Sequence, residues 1–141
     1  MLYDVDNFKA VNDTHGHQIG DKVLIQLSQF VPSLLRNTDL LARWGGEEFV
    51  VVTPESDGEM AYQAAEKLRN AIEQIKFDEI GTVTCSFGVA QYMCGDTAES
   101  LISRADDALY RGKLNGRNQV ELASWPSKVH PPLLSAASSA A

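Results

Sequence analysis

Basic residues are the scarcer charge in this chain of 141 residues: 12 Lys and Arg stand against 19 Asp and Glu, a formal net charge of -7. That balance weighs against sequence-independent binding of a nucleic-acid polymer, which draws on clustered cations. Cysteine is scarce too. Cys85 and Cys94 fit no metal-ligand spacing, and 2 thiols in a chain this long build no disulfide framework. No stretch approaches the roughly 20 consecutive apolar residues that a membrane-spanning helix needs, and the first residues lack the basic-then-apolar order of a secretory leader. A cytoplasmic chain with no membrane segment is therefore expected, and no internal repeat is visible.

What is present suits one compact domain: 44% of residues are hydrophobic and 22% charged. Met1 to Val5 reads as an apolar strand stopping at Asp4, Asp6 and Asn7, and Phe8 to His15 as a brief helix ending near Gly16. A second helix is expected from about Gly20 to Leu35, kinked by Pro32. Leu40 to Trp44 and Glu48 to Thr53 read as the arms of a tight hairpin around Gly45, Gly46 and Glu47. Ser56 with Glu59 predicts the cap of a third helix, whose apolar stripe runs from Met60 to Ile75. Val83 to Gln91 reads as a buried strand, followed by a helix capped by Asp96 and Glu99 and loosened by Gly112 and Gly116. Gln119 to Leu122 suits a closing strand. The class is α/β or α+β, a mixed central sheet with flanking helices. The domain is expected over 1–122, with a flexible tail over 123–141.

Asp4 and Asp6 lie two apart at the end of a strand, so their carboxylates start toward one face, and the hairpin adds Glu47 and Glu48. Oxygen donors of this kind suit Mg²⁺ or Mn²⁺, which complete their shells with water and substrate phosphates. Solvated turn acids are the competing reading. Gly45 and Gly46 clear the hairpin tip of side chains, so that a ligand can approach the backbone closely.

Taken together, Asp4-Val5-Asp6-Asn7-Phe8-Lys9, Asn12-Asp13, Gly16-His17-Gln18-Ile19-Gly20-Asp21 and Arg43-Trp44-Gly45-Gly46-Glu47-Glu48-Phe49 resemble the GGDEF family, the diguanylate cyclases. The resemblance covers about 1–122, and its third signature position is Glu, a variant that active members also use. It implies a fold like that of nucleotidyl cyclases and polymerase palms. The reaction it implies joins two GTP molecules into cyclic di-GMP, with two Mg²⁺ or Mn²⁺ ions per active site. The segment that ordinarily precedes the first strand, with its Asp-x-Leu-Thr-Gly-Leu-x-Asn-Arg pattern, is absent, so the chain reads as a fragment.

Carried over residue by residue, the resemblance implies metal ligation by Asp4, the Val5 carbonyl, Glu47 and Glu48. Glu47 is expected to be the base for the attacking 3′-hydroxyl, with the division of labour between the two glutamates left open. Asp6 stands evenly between a metal ligand and a loop cap. Lys9 is expected to stabilise phosphate charge, with the amides of Asn7 and Phe8 cradling the terminal phosphates and Lys113 and Arg117 at the phosphate tail. Asp21 is expected to accept from guanine N1 and N2, Asn12 to complete that contact, and His17 to hold base or ribose. Arg36-Asn37-Thr38-Asp39 matches the family's RxxD inhibitory site for product, with added charge from Arg43 and Lys67. A transient homodimer is implied, since one domain has one GTP site and the product needs two phosphodiester bonds. The alternatives are a catalytically silent domain acting as a cyclic di-GMP or GTP receptor, and a cyclase or polymerase of the same fold with another reaction. Acidic charge weighs against a polymerase.

Overall fold

The computed structural model describes residues 1–124. Most of the tail expected over 123–141 lies outside the described residues. Five strands form one sheet in the order β2-β3-β1-β4-β5: β1 (Leu2–Val5), β2 (Leu40–Gly45), β3 (Glu48–Val52), β4 (Cys85–Val89) and β5 (Val120–Leu122). The central strand β1 runs antiparallel to both β3 and β4, and β5 joins β4 in parallel. The expected mixed sheet with flanking helices is what forms.

Alternation along the strands decides which helix covers which face. Tyr3, Val5, Phe49, Val51, Cys85, Phe87 and Val89 point into the main core with Val23, Leu24 and Leu27 of α2 (His17–Phe30) and Ala61, Ala65, Leu68 and Ile72 of α3 (Gly58–Glu73). The Tyr3 ring stacks between Phe49 and Phe87, with centroids 5.1 and 4.7 Å away. On the other face Leu2 packs with Ala105 and Leu109 of α4 (Ala98–Leu114). Gly88 sets how closely that helix lies, because a Cβ there would stand 2.0 Å from the Ala105 carbonyl oxygen. Continuing the stripe by one more helical step from Ala105 and Leu109 reaches Lys113, while continuing β1 on that face from Leu2 reaches Asp4. The packing of apolar pairs thus delivers a charged pair to the end of the strand.

Several boundaries differ from the sequence expectation, each for a local reason. The second helix begins at His17, because Gly16 at φ 87 ends α1 (Phe8–His15) and leads directly into α2. Pro32 produces no kink: α2 stops at Phe30 and a 3-10 helix (Val31–Leu34) accommodates the proline in its first turn. Asp57, not Ser56, caps α3 by accepting from the Met60 amide at 2.8 Å, so the buried stripe begins at Ala61 and Met60 is exposed. Thr97 and Ser100 form the reciprocal box of α4. The expected cap residue Asp96 instead accepts from the Met93 amide and pairs with Arg104. Gly112 does not loosen α4; it is buried against Gln119 and Glu121.

Candidate active site

Asp4 is 3% exposed. It sits directly opposite Glu48 in the β1–β3 register, and its Oδ2 pairs with the Lys113 ammonium. Its Oδ1 is buried and has no hydrogen-bond partner among the described residues. Burial is the main force pushing the carboxyl up from 3.8 to about 6, reinforced by Asp6 and Glu48 and opposed by Lys113. An unpaired buried carboxylate oxygen is costly unless a donor or a cation reaches it. Among the described residues no three His, Cys, Asp or Glu side chains form a finished metal cage. The donors that do converge, Asp4 facing Glu48 at the strand end, fit a hard divalent cation that keeps few protein ligands.

Asp6 has the opposite fate. Its Oδ1 accepts from Ser86 Oγ at 2.6 Å, and its Oδ2 from Thr84 Oγ1 at 2.7 Å and from the Asn118 amide at 2.9 Å. With both oxygens engaged, it ties β1 to β4 and to the turn after α4. Of its two sequence readings, the loop-capping one matches this geometry.

The hairpin tip is open. Gly46, at φ 47, and Glu47 form the turn between paired Gly45 and Glu48, and a register shift falls between Arg43 and Gly45. Arg43 Nε donates to the Gly46 carbonyl at 2.9 Å and steadies the turn. Gly45 and Gly46 are exposed, and Glu47 and Glu48 half-buried.

Asn7 starts α1 in the left-handed region at φ 54, and no side chain caps that first turn. Lys9, close by, forms an exposed ion pair with Asp13 at 3.4 Å. Asn12 lies against α2: its Oδ1 is buried without a partner among the described residues, and a Cβ on Gly20 would stand 1.9 Å from it. The fold therefore brings Asn12 beside the residue that precedes Asp21, and both Asp21 and His17 remain exposed on α2.

In the RxxD segment the Arg36 amide donates to Asp39 Oδ2 at 2.9 Å, and the Asp39 amide donates to the Arg36 carbonyl at 3.0 Å. The pattern is thus a compact turn, with Arg36 exposed beside the start of β2. Arg43 lines a hollow with Ser28, Pro32 and Leu41. Lys67 is exposed on α3, whose buried side packs toward β4 and β5.

Sequence reading assigned no role to Gly20, Thr84, Ser86 or Arg69. Gly20 stood inside a quoted motif, which was the only sequence signal for it; its close approach to Asn12 shows only in the fold. The other three act through partners far along the chain.

The residues 1–119 match the family model described as "Diguanylate cyclase, GGDEF domain". Diguanylate cyclase DgcM of Escherichia coli is 41% identical over 120 residues, 85% of this chain, and the chain spans 29% of that protein's length. The GGDEF domain of DgcB from Caulobacter crescentus, solved in complex with c-di-GMP, superposes with a TM-score of 0.82 at 33% identity, covering 86% of this chain and 75% of that one. The active GGEEF domain of a diguanylate cyclase from Vibrio cholerae gives 0.82 at 33% identity, covering 88% and 81%.

Proposed function

The chain belongs to the GGDEF family of diguanylate cyclases, and from that premise we propose that it condenses two GTP molecules into cyclic di-GMP with release of two pyrophosphates. The observation that carries the reading is the polar end of β1: Asp4 keeps a buried oxygen without a partner, faces Glu48 across the sheet and has Lys113 over it. Asp4, the Val5 carbonyl, Glu47 and Glu48 would hold the divalent ions, Mg²⁺ or Mn²⁺. When bound, such ions neutralise phosphate charge and favour ionisation of the attacking hydroxyl.

Glu47, at the open tip, would take the proton of a 3′-hydroxyl as its oxygen bonds to the α-phosphorus of the other GTP. The bond between α-phosphorus and the bridging oxygen breaks, and pyrophosphate leaves. Lys9, Lys113 and Arg117, with the uncapped amides of Asn7 and Phe8, would hold the phosphates in line. Asn12, His17 and Asp21 would hold the guanosine, Asp21 accepting from N1 and N2. An adenine would leave that carboxylate unpaired.

One domain offers one such site, so two chains must meet tip to tip, each contributing one GTP and one attack. Turnover per chain should therefore rise with chain concentration. Product is expected to bind Arg36 and Asp39, aided by Arg43 and Lys67, and to hold two domains where their tips cannot face each other. A silent receptor is the weaker reading, because Asp4, Lys9, Glu47 and Glu48 are all present. Incubation with GTP and Mg²⁺, with products identified by mass, tests the proposal: cyclic di-GMP and pyrophosphate are expected, and binding without turnover would favour the receptor.

A further inference from the structure

Beyond Gly116 the backbone is held in an unusual shape. The end of α4 itself is ordinary: the Arg117 amide donates to the Gly112 carbonyl at 2.9 Å and the Gly116 amide to the Lys113 carbonyl at 3.5 Å, with Gly116 at φ 115. That motif requires one left-handed residue. Here two non-glycine residues follow it in the same region, Arg117 at φ 65 and Asn118 at φ 46. Such conformations cost on the order of 1–3 kcal/mol each and persist only where the surroundings over-determine them.

The surroundings are a chain of hydrogen bonds reaching from α3 to β1. Arg69, its side chain 15% exposed, donates from Nη1 to Asn118 Oδ1 at 2.9 Å. Its fork is held by Glu66 at 3.2 Å through both Nε and Nη2. Glu73 accepts from Asn118 Nδ2 at 3.2 Å, so the amide side chain is gripped at both ends. The Asn118 backbone N–H then donates to Asp6, which Thr84 and Ser86 hold from the other side. Asp6 adjoins Asn7, and Asn118 adjoins Arg117. The network therefore bolts together the two segments that carry the phosphate contacts of the proposed nucleotide site, the start of α1 and the turn after α4.

We propose that Arg69 and Asn118 are positioning residues that set the spacing between these two halves of the phosphate site, touching no substrate themselves. The inference rests on the nucleotide reading above and adds to it two residues on whose geometry GTP affinity depends.

Asn118→Gly tests the idea cleanly, because glycine accepts a positive φ without strain and leaves net charge unchanged while removing both side-chain grips. Binding of a non-hydrolysable GTP analogue with Mg²⁺, measured by calorimetry, should weaken about tenfold, which is about 1.4 kcal/mol. Amide exchange over 115–118 should accelerate. Arg69→Ala should do the same, and the double variant should be no worse than the poorer single one, since both changes cut one connection. Should Arg69→Ala fail to fold by circular dichroism, Asn118→Gly alone decides. Parental affinity in Asn118→Gly, or additive losses in the double variant, overturns the proposal. A parent chain that binds no analogue overturns the nucleotide reading itself, and this inference with it.

Discussion

At the end of β1, Asp6 receives three donors and Lys113 sits on Asp4, whereas at the β2–β3 tip Gly45 and Gly46 are exposed and a single Arg43 bond steadies the turn. The first region is organised before any ligand arrives; the second has room for one. Phosphoryl transfer needs both properties. Fixed dipoles and charges stabilise a transition state without reorganising, and on the proposed reaction a site that meets a second copy of itself has to stay open. The comparison also separates Asp4, the acid within β1, from Asp6, the acid in the turn just after it. Asp6 is a fully used structural anchor, and Asp4 has an oxygen in reserve.

The largest effect that would sharpen this contrast lies at the tip. Glu47→Gln should lower turnover at least about a hundredfold while analogue affinity changes far less, because shape is kept and charge and basicity are removed. A variant retaining parental turnover, followed by product mass, would strip the tip of its catalytic role and move the base to Glu48.

Next in size are changes where α1 meets α2. Gly20→Ala adds a Cβ 1.9 Å from Asn12 Oδ1 and must displace that side chain, so preference for GTP over ATP should fall by about tenfold or more. Asp21→Ala should reduce the same preference by removing the guanine acceptor. Equal losses for both nucleotides in Asp21→Ala would assign the residue to structure.

A smaller effect is expected at the RxxD turn. Because Arg36 precedes β2 and stands outside the tip, Arg36→Ala should leave the initial rate nearly unchanged and make inhibition by cyclic di-GMP several-fold weaker. The turn itself should survive, since its bonds use the Arg36 backbone. Undiminished inhibition would reduce the pattern to that turn.

The smallest effect is a pH dependence of the metal-free chain. Asp4 titrates near 6 in the folded state against 3.8 for the free side chain. Between those values the folded state binds more protons than the unfolded one, so this group's contribution to stability is greatest at low pH and is lost as pH rises through about 6. Asp4→Asn should therefore melt progressively higher than the parent between pH 4 and 6, with a constant difference above. A difference independent of pH would mean that Lys113 already offsets the burial of the carboxylate.

The local features were legible in the sequence because they depend on neighbours. Alternation along β1 singled out Asp4, and two glycines marked the tip that carries Glu47 and Glu48, but the pairing that sets Asp4 opposite Glu48 is tertiary. The family's blocks in order identified the domain. Cap positions were missed by a residue at α3 and α4, where several adjacent Ser, Thr and Asp side chains could each cap and only the chain's approach selects one.

What the sequence determined by itself is therefore the set of chemically able groups and the strands and helices that carry them, since period and turn chemistry act over a few residues. The tertiary structure alone decided which partners each group meets. Asp6 and Asn118 lie 112 positions apart, and nothing local distinguishes an acid that will meet three donors from one that will meet a single lysine and an empty lone pair. Partner choice followed from packing: Leu109 over Leu2 brings Lys113 to Asp4, and α3 brings Arg69 to Asn118, beside which Arg117 also holds a positive φ.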